Sequence, residues 1–191
     1  MDLTASQPAV PAHRGNPPYP CATASLCVLA SGSGGNCSIL AVWSCGRRRV
    51  CLIDAGLSPR RVARRLEERG LSLEAVDGVL LTHLDHDHWH RGWVRRLPRE
   101  ARVHIHQSHA ARGRRCGLDG RAALYSAPFE LWPGVMVSPA LASHDDWGVV
   151  AFRFDFAACG SRLGYATDLG RVPAASFAGI TTLGCRLLNF S

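Results

Sequence analysis

The chain has 191 residues, of which 47% are hydrophobic and 19% are charged, with 22 basic residues against 15 acidic ones. This apolar fraction excludes a disordered protein, and no stretch approaches the roughly 20 apolar residues that a membrane-spanning helix needs. The net charge of +7 comes from arginine alone, because the sequence contains no lysine. This charge permits an anionic partner such as nucleic acid without requiring one.

The composition divides the chain into two parts. Residues 1–20 are rich in proline and small residues and are predicted to form a disordered leader without a secretory signal, while 21–191 form one domain. The 8 cysteines include no CxxC pair, and three of them, Cys27, Cys37 and Cys51, lie in apolar runs. They are predicted to be buried free thiols of a reducing compartment. We therefore expect a cytoplasmic protein that does not contact a membrane.

Apolar runs predict the first elements. Strands are expected at 25–30, 37–43 and 50–56, and the last two form a hairpin around the basic turn at 45–49. Ser58 and Pro59 then begin an amphipathic helix, with the serine as its N-cap, and Gly70 is expected to cap its C-terminus.

Strands dominate the rest of the chain. A buried strand is predicted at 77–83, a short helix at 93–97, a strand at 102–106 and a helical or loop segment through 115. Further strands are expected at 134–138, 149–156 and 162–167, and a last helix near Pro173. Strands with helices between them indicate an α/β layered domain.

Four histidines and two aspartates lie within the eight residues from 83 to 90, directly after a predicted buried strand. Imidazole and carboxylate together bind zinc, manganese or iron. Alternate residues of an extended chain point to one side, so His83 and Asp85 are able to meet one ion. Asp87 and His88 are then placed for a second ion. A polar loop that binds metal only adventitiously is the alternative.

The pattern His83-x-Asp85-x-Asp87-His88 resembles the HxHxDH signature of the metallo-β-lactamase superfamily, with aspartate in place of the second histidine. The segments at 29–40 and 51–58 resemble the opening strands of its bacterial WalJ-type DNA exonuclease branch. The later turns at 143–145 and 167–170 resemble two further motifs of the superfamily in the same order. The resemblance implies an αββα sandwich and a metal-dependent hydrolase.

The resemblance also implies a binuclear site. Its first ion would be held by His83, Asp85 and His144, and its second by Asp87, His88 and Asp168, with Asp168 shared. Zinc is the metal expected first, and Asp85 makes manganese or iron more competitive, because it replaces a nitrogen ligand with an anionic oxygen. Asp87 is the catalytic candidate that orients the attacking water.

The superfamily supplies a last histidine ligand, with further strands and a helix, from a C-terminal segment. Here no histidine follows His144 in the sequence. We therefore expect the second half of the sandwich to be incomplete, and the 21–191 domain to be a truncated one. An inactive metal-binding fragment is the non-enzymatic alternative.

The leading functional hypothesis is a phosphodiesterase similar to DNA exonucleases, acting on nucleic acid or another phosphodiester. A thioester or lactone hydrolase of the same fold is the alternative, because a fold does not fix a substrate. Asn36, His90 and Trp147 are the candidate substrate-binding residues. His104 and His106 alternate on a predicted strand and are expected to be packing or surface histidines.

Overall fold

The computed structural model describes residues 23–44, 46–142 and 147–168. Six strands form its first sheet in chain order: β1 (Thr23–Ala30), β2 (Cys37–Ser44), β3 (Arg47–Ile53), β4 (Gly78–Leu80), β5 (Arg102–His106) and β6 (Ala122–Tyr125). The pairs β1–β2 and β2–β3 are antiparallel, whereas the pairs from β3 to β6 are parallel. The parallel strands therefore end at one edge of the sheet, and polar loops follow them there.

Helices connect the parallel strands. They are α1 (Pro59–Glu67), α2 (Ala110–Arg115) and three short 3₁₀ helices at Leu73–Ala75, Arg91–Arg95 and Gln107–His109. Helix α1 begins after Ser58 as predicted, although the serine side chain makes no capping hydrogen bond. Its C-cap is Glu68 rather than Gly70, which follows in the left-handed region at φ +63°. The longest helix in the described ranges has 9 residues, so none there has the length that crossing a bilayer demands.

Four antiparallel strands form the second sheet, in the order β10-β9-β8-β7. They are β7 (Phe129–Trp132), β8 (Val135–Ala142), β9 (Val149–Phe156) and β10 (Ser161–Tyr165). Large apolar side chains of β9, such as Phe152 and Phe154, are fully buried against the first sheet.

Two apolar cores define the layers. One packs helical residues such as Val62, Leu66 and Trp93 against one face of the first sheet. The other lies between the two sheets and includes Leu40 of the first sheet and Phe154 of the second. This arrangement confirms the predicted α/β sandwich, with a helical layer and two sheets within the described ranges.

Several predicted elements differ from those observed. The strands at 102–106 and 149–156 are confirmed, but β4 is shorter than the predicted strand at 77–83. It ends early because the Thr82 amide binds a carboxylate of Asp54 instead of a neighbouring strand. Strands β6 and β7 were not predicted, since each has four residues and a mixed pattern. The leader at 1–20 and the helix near Pro173 lie outside the described residues.

The described cysteines are free thiols. Cys37 and Cys51 are fully buried in β2 and β3, as predicted, and burial raises the pKa of both thiols well above the ordinary value. Cys27 is only half-buried, because it lies on β1 at the edge of the sheet, so its predicted burial is wrong.

Candidate metal centre

Three loops meet at the end of the first sheet, after β1, β3 and β4. The backbone N–H of Asn36 donates to the backbone carbonyl of Asp87 at 2.6 Å, and the backbone N–H of Gly56 donates to the backbone carbonyl of Asn36 at 2.9 Å. Gly56 is packed so closely that an added Cβ would lie 1.8 Å from the Asp87 carbonyl oxygen. The loops thus contact one another backbone to backbone, which fixes where the segment at 83–90 presents its side chains.

Asp54, at the end of β3, is the anchor of the site. Its side chain is 0% exposed, and its backbone adopts the left-handed region at φ 59°. One carboxylate oxygen accepts from the Thr82 amide at 2.9 Å, and the Thr82 hydroxyl lies 3.0 Å from both oxygens. The other oxygen lies 2.9 Å from Nδ1 of His88. A buried carboxylate needs such partners to offset its desolvation.

The bond to Asp54 fixes the tautomer of His88. A carboxylate only accepts, so Nδ1 carries the proton and Nε2 presents its lone pair to the site. Two groups face that nitrogen: the side-chain amide nitrogen of Asn36 (Nδ2) at 2.9 Å and a carboxylate oxygen of Asp168 at 2.7 Å. Burial lowers the pKa of His88, but the bond to Asp54 and the carboxylates of Asp54, Asp87 and Asp168 outweigh it, and the pKa is raised overall. The carboxylates around His88 therefore favour a positive charge, which either a second ring proton or a metal ion at Nε2 would supply.

His83 is held beside His88 and is kept neutral. Its side chain is 2% exposed, its Nδ1 lies 3.0 Å from the Thr82 hydroxyl, and the two imidazole rings are 3.9 Å apart. Burial lowers the pKa of His83, and the neighbouring His88 lowers it further. A neutral imidazole is the form that binds a metal ion.

His83, His88 and Asp168 bring one ligand atom each to within 4.8 Å of one another. Two imidazole nitrogens and one carboxylate oxygen are a donor set that suits a divalent transition metal. Asp168 is exposed and adopts φ 54°, a strained conformation that occurs at functional sites more often than elsewhere. The residues present thus fit the metal that the sequence pattern predicts.

The two other aspartates of the pattern lie at the margin of this cluster. An Asp87 carboxylate oxygen lies 3.7 Å from Nε2 of His88. One Asp85 oxygen lies 3.6 Å from Nε2 of His83, while the other accepts from the Arg112 guanidinium at 2.5 Å. Asp85 therefore lies between the cluster and Arg112. The sixth predicted ligand, His144, lies outside the described residues.

The three predicted substrate-binding residues occupy different places. Asn36 is buried and its side chain contacts the ligand histidine His88. His90 is exposed, and its Nδ1 accepts from the Gly92 amide at the start of a 3₁₀ helix. Trp147 is 39% exposed, and its carbonyl accepts from the Ser108 hydroxyl.

Sequence reasoning missed two buried residues, Asp54 and Thr82, and the contact between Arg112 and Asp85. One signal for Asp54 was present, since an aspartate directly after the apolar run VCLI is expected to need buried partners. Thr82 gave no comparable signal. The contact of Arg112 joins positions 27 residues apart in the chain and depends on the packing of α2.

Comparisons with known proteins identify the family of the chain. The model of the metallo-β-lactamase superfamily matches residues 32–174, and the chain therefore belongs to that superfamily of hydrolases. The chain is 38% identical over 63 residues to the exodeoxyribonuclease WalJ of Streptococcus pneumoniae. That match covers 33% of this chain and only 22% of the relative's length.

Two solved structures share the fold. A HARLDQ-motif mutant of a metallo-β-lactamase from Cronobacter sakazakii has a TM-score of 0.53 at 19% identity, covering 79% of this chain and 69% of that one. A diphosphatase of the PhnP family has a TM-score of 0.53 at 19% identity, covering 81% and 69%. At this identity the two neighbours establish the sandwich fold.

Proposed function

We propose that this chain is a metal-dependent phosphodiesterase whose substrate is DNA, with an exonuclease-like activity. The convergence of His83, His88 and Asp168 on one point carries the proposal of metal-dependent hydrolysis. The similarity to an exodeoxyribonuclease over 63 residues supports a phosphodiester as the bond that is cleaved.

We infer that two divalent ions are held by the six predicted ligands: His83, Asp85, Asp87, His88, His144 and Asp168. Such ions lower the pKa of water and stabilise the charge that develops on a phosphoryl oxygen. Zinc suits the imidazole nitrogens, and manganese or iron gains from the carboxylate of Asp85. The cluster of His83, His88 and Asp168 is the best-supported part of this set.

Asp54, Asp87 and Asn36 position the ligands and the attacking water. Asp54 keeps the proton of His88 on Nδ1, so that Nε2 stays available as a ligand. Asp87 orients the attacking water by accepting a hydrogen bond from it, and it is itself positioned by the Asn36 amide nitrogen at 3.4 Å. Asn36 thus supports the site from inside rather than contacting substrate.

The fully buried thiols of Cys37 and Cys51 fit a reducing compartment, and we infer a cytoplasmic location.

Assays of the purified protein with zinc or manganese test the proposal. We expect cleavage of single-stranded DNA and of a small phosphodiester, and loss of at least a hundredfold in rate for Asp168→Asn. Asp119→Asn, at another exposed aspartate, should leave the rate unchanged. Hydrolysis of a thioester or a lactone in place of both phosphodiesters would overturn the proposal in favour of the carboxyl-ester alternative.

A further inference from the structure

A cavity of about 560 Å³ opens beside the segment that carries the metal ligands. Its polar lining consists of two histidines and three arginines: His86, His90, Arg91, Arg112 and Arg115. Its size falls within the range of sites that bind small molecules or substrate groups. We call it the arginine cavity.

The arginine cavity holds a surplus of positive charge. No carboxylate contributes to its described lining. Arg112 is paired with Asp85, but Arg91 and Arg115 are exposed and make no ion pair with any described residue. Guanidinium groups with free N–H donors bind phosphate oxygens in bidentate fashion. The lining is therefore suited to an anion that carries several oxygens.

A second observation concerns Trp89, which lines the same cavity. Its side chain is 3% exposed, and its Nε1 donor is buried without a hydrogen-bond partner among the described residues. A buried donor left without a partner is less favourable than one that is hydrogen-bonded. Trp89 thus places a donor without a protein partner, among the described residues, in the wall of the cavity.

The cavity adjoins the metal centre through a short chain of contacts. Arg112 lies 2.5 Å from one Asp85 oxygen, and the other Asp85 oxygen lies 3.6 Å from His83. Trp89 follows the ligand His88 directly in sequence. Arg112, one residue of the cavity lining, thus contacts a predicted metal ligand directly.

We propose that the arginine cavity binds a phosphate of the DNA strand next to the one that is cleaved. This inference rests on the proposed function, because it assigns the substrate strand a second point of attachment. Arg91 and Arg115 supply the free donors, and Arg112 links the cavity to the metal centre.

The test compares two double variants that remove equal charge. Arg91→Ala/Arg115→Ala alters the cavity, whereas Arg95→Ala/Arg114→Ala removes exposed arginines from the same two helices outside the lining. The probe is a fluorescent single strand of 12 thymidines with cleavage-resistant phosphorothioate links, and its binding is followed by fluorescence anisotropy over a series of salt concentrations. Circular dichroism verifies that both variants are folded.

We expect the cavity variant to bind the strand about tenfold more weakly. The slope of the logarithm of the binding constant against the logarithm of salt concentration should become shallower by about 0.7 for each lost phosphate contact. The control variant should change affinity less than twofold. The rate on bis(4-nitrophenyl) phosphate should stay the same in both variants, because this substrate has no neighbouring phosphate. Equal binding by the two variants would overturn the inference.

Two further results separate this inference from its alternatives. In the first, the wild-type protein cleaves neither single-stranded DNA nor bis(4-nitrophenyl) phosphate, while the cavity variant still binds the strand more weakly than the control variant. That result would reject the proposed function and retain the phosphate site. In a titration with inorganic phosphate, a cavity variant that loses phosphate binding but holds the strand like wild type would assign the cavity to free phosphate and overturn the inference.

Discussion

Two neighbouring polar regions of the molecule are built in opposite ways. In the metal centre, Asp54, Thr82, His83 and His88 are at most 2% exposed and hydrogen-bond to one another. In the arginine cavity, Arg112 is half-buried and paired with Asp85, whereas Arg91 and Arg115 are exposed and lack an ion-pair partner among the described residues. The first region is fixed by the fold, whereas the second leaves its donors free.

This difference matches the ligands that the two regions would bind. A metal site gains from ligands that are held in place and in one tautomer before the ion arrives. A site for a flexible, charged strand gains instead from unpaired arginines that carry long-range attraction. Substitutions in the two regions should therefore affect different measurements.

The largest effect is expected where backbones touch at the metal centre. Gly56→Ala would place a Cβ 1.8 Å from the Asp87 carbonyl oxygen, so the loops must move apart. We expect a loss of about 3 kcal/mol or more in the free energy of unfolding, measured by urea denaturation. Gly34→Ala is the matched control, because no atom lies within 4 Å of its added Cβ. Similar stability of the two variants would show that the loops are not rigidly packed.

A smaller effect on stability but a large one on metal binding is expected for Asp54→Asn. The asparagine amide would donate to Nδ1 of His88, which moves the histidine proton to Nε2 and removes the lone pair that binds metal. We expect zinc affinity, measured by competition with a chromophoric chelator, to fall about 10- to 100-fold. Asp119→Asn should bind zinc like wild type, and unchanged affinity in Asp54→Asn would refute the role of the tautomer.

His104 shows what a half-buried histidine does without carboxylates. It stacks on Phe129, and burial alone lowers its pKa from 6.5 to about 4, whereas carboxylates raise the pKa of His88. Between these pH values the unfolded chain binds more protons at His104 than the folded chain does. The contribution of neutral His104 to the free energy of unfolding is therefore complete above pH 6.5 and is lost as the pH falls toward 4. The expected loss is on the order of 1–3 kcal/mol. His104→Leu should remove this pH dependence. If the free energy of unfolding changed with pH in the same way in wild type and in His104→Leu, the assignment of the effect to His104 would be wrong.

The smallest effect on stability is expected at the junction of the two regions. Arg112 and Asp85 have side chains that are 26% and 33% exposed, so solvent screens their ion pair. Arg112→Ala should lower the free energy of unfolding by about 1 kcal/mol or less, measured by urea denaturation beside Arg114→Ala. A loss of several kcal/mol would mean that this pair supports the fold of the metal centre.

The sequence predicted much of the fold but only part of the site. Strands such as β5 and β9 follow from local apolar patterns, whereas β6 and β7 are too short for a pattern to identify. His83 and His88 lie in one dense motif of histidines and aspartates, so the sequence predicts both as metal ligands. The anchor Asp54 was not, because its role arises from a contact with His88 across 34 positions of the chain that only the tertiary structure creates.

The metal content of the protein tests whether His83, His88 and Asp168 form a metal centre. Wild type, His83→Ala and Asp119→Asn would be incubated with zinc or manganese, dialysed and analysed for metal bound per chain. We expect wild type and Asp119→Asn to retain bound metal and His83→Ala to lose at least one ion. A wild-type chain without bound metal, or a His83→Ala chain with the full amount, would contradict this expectation.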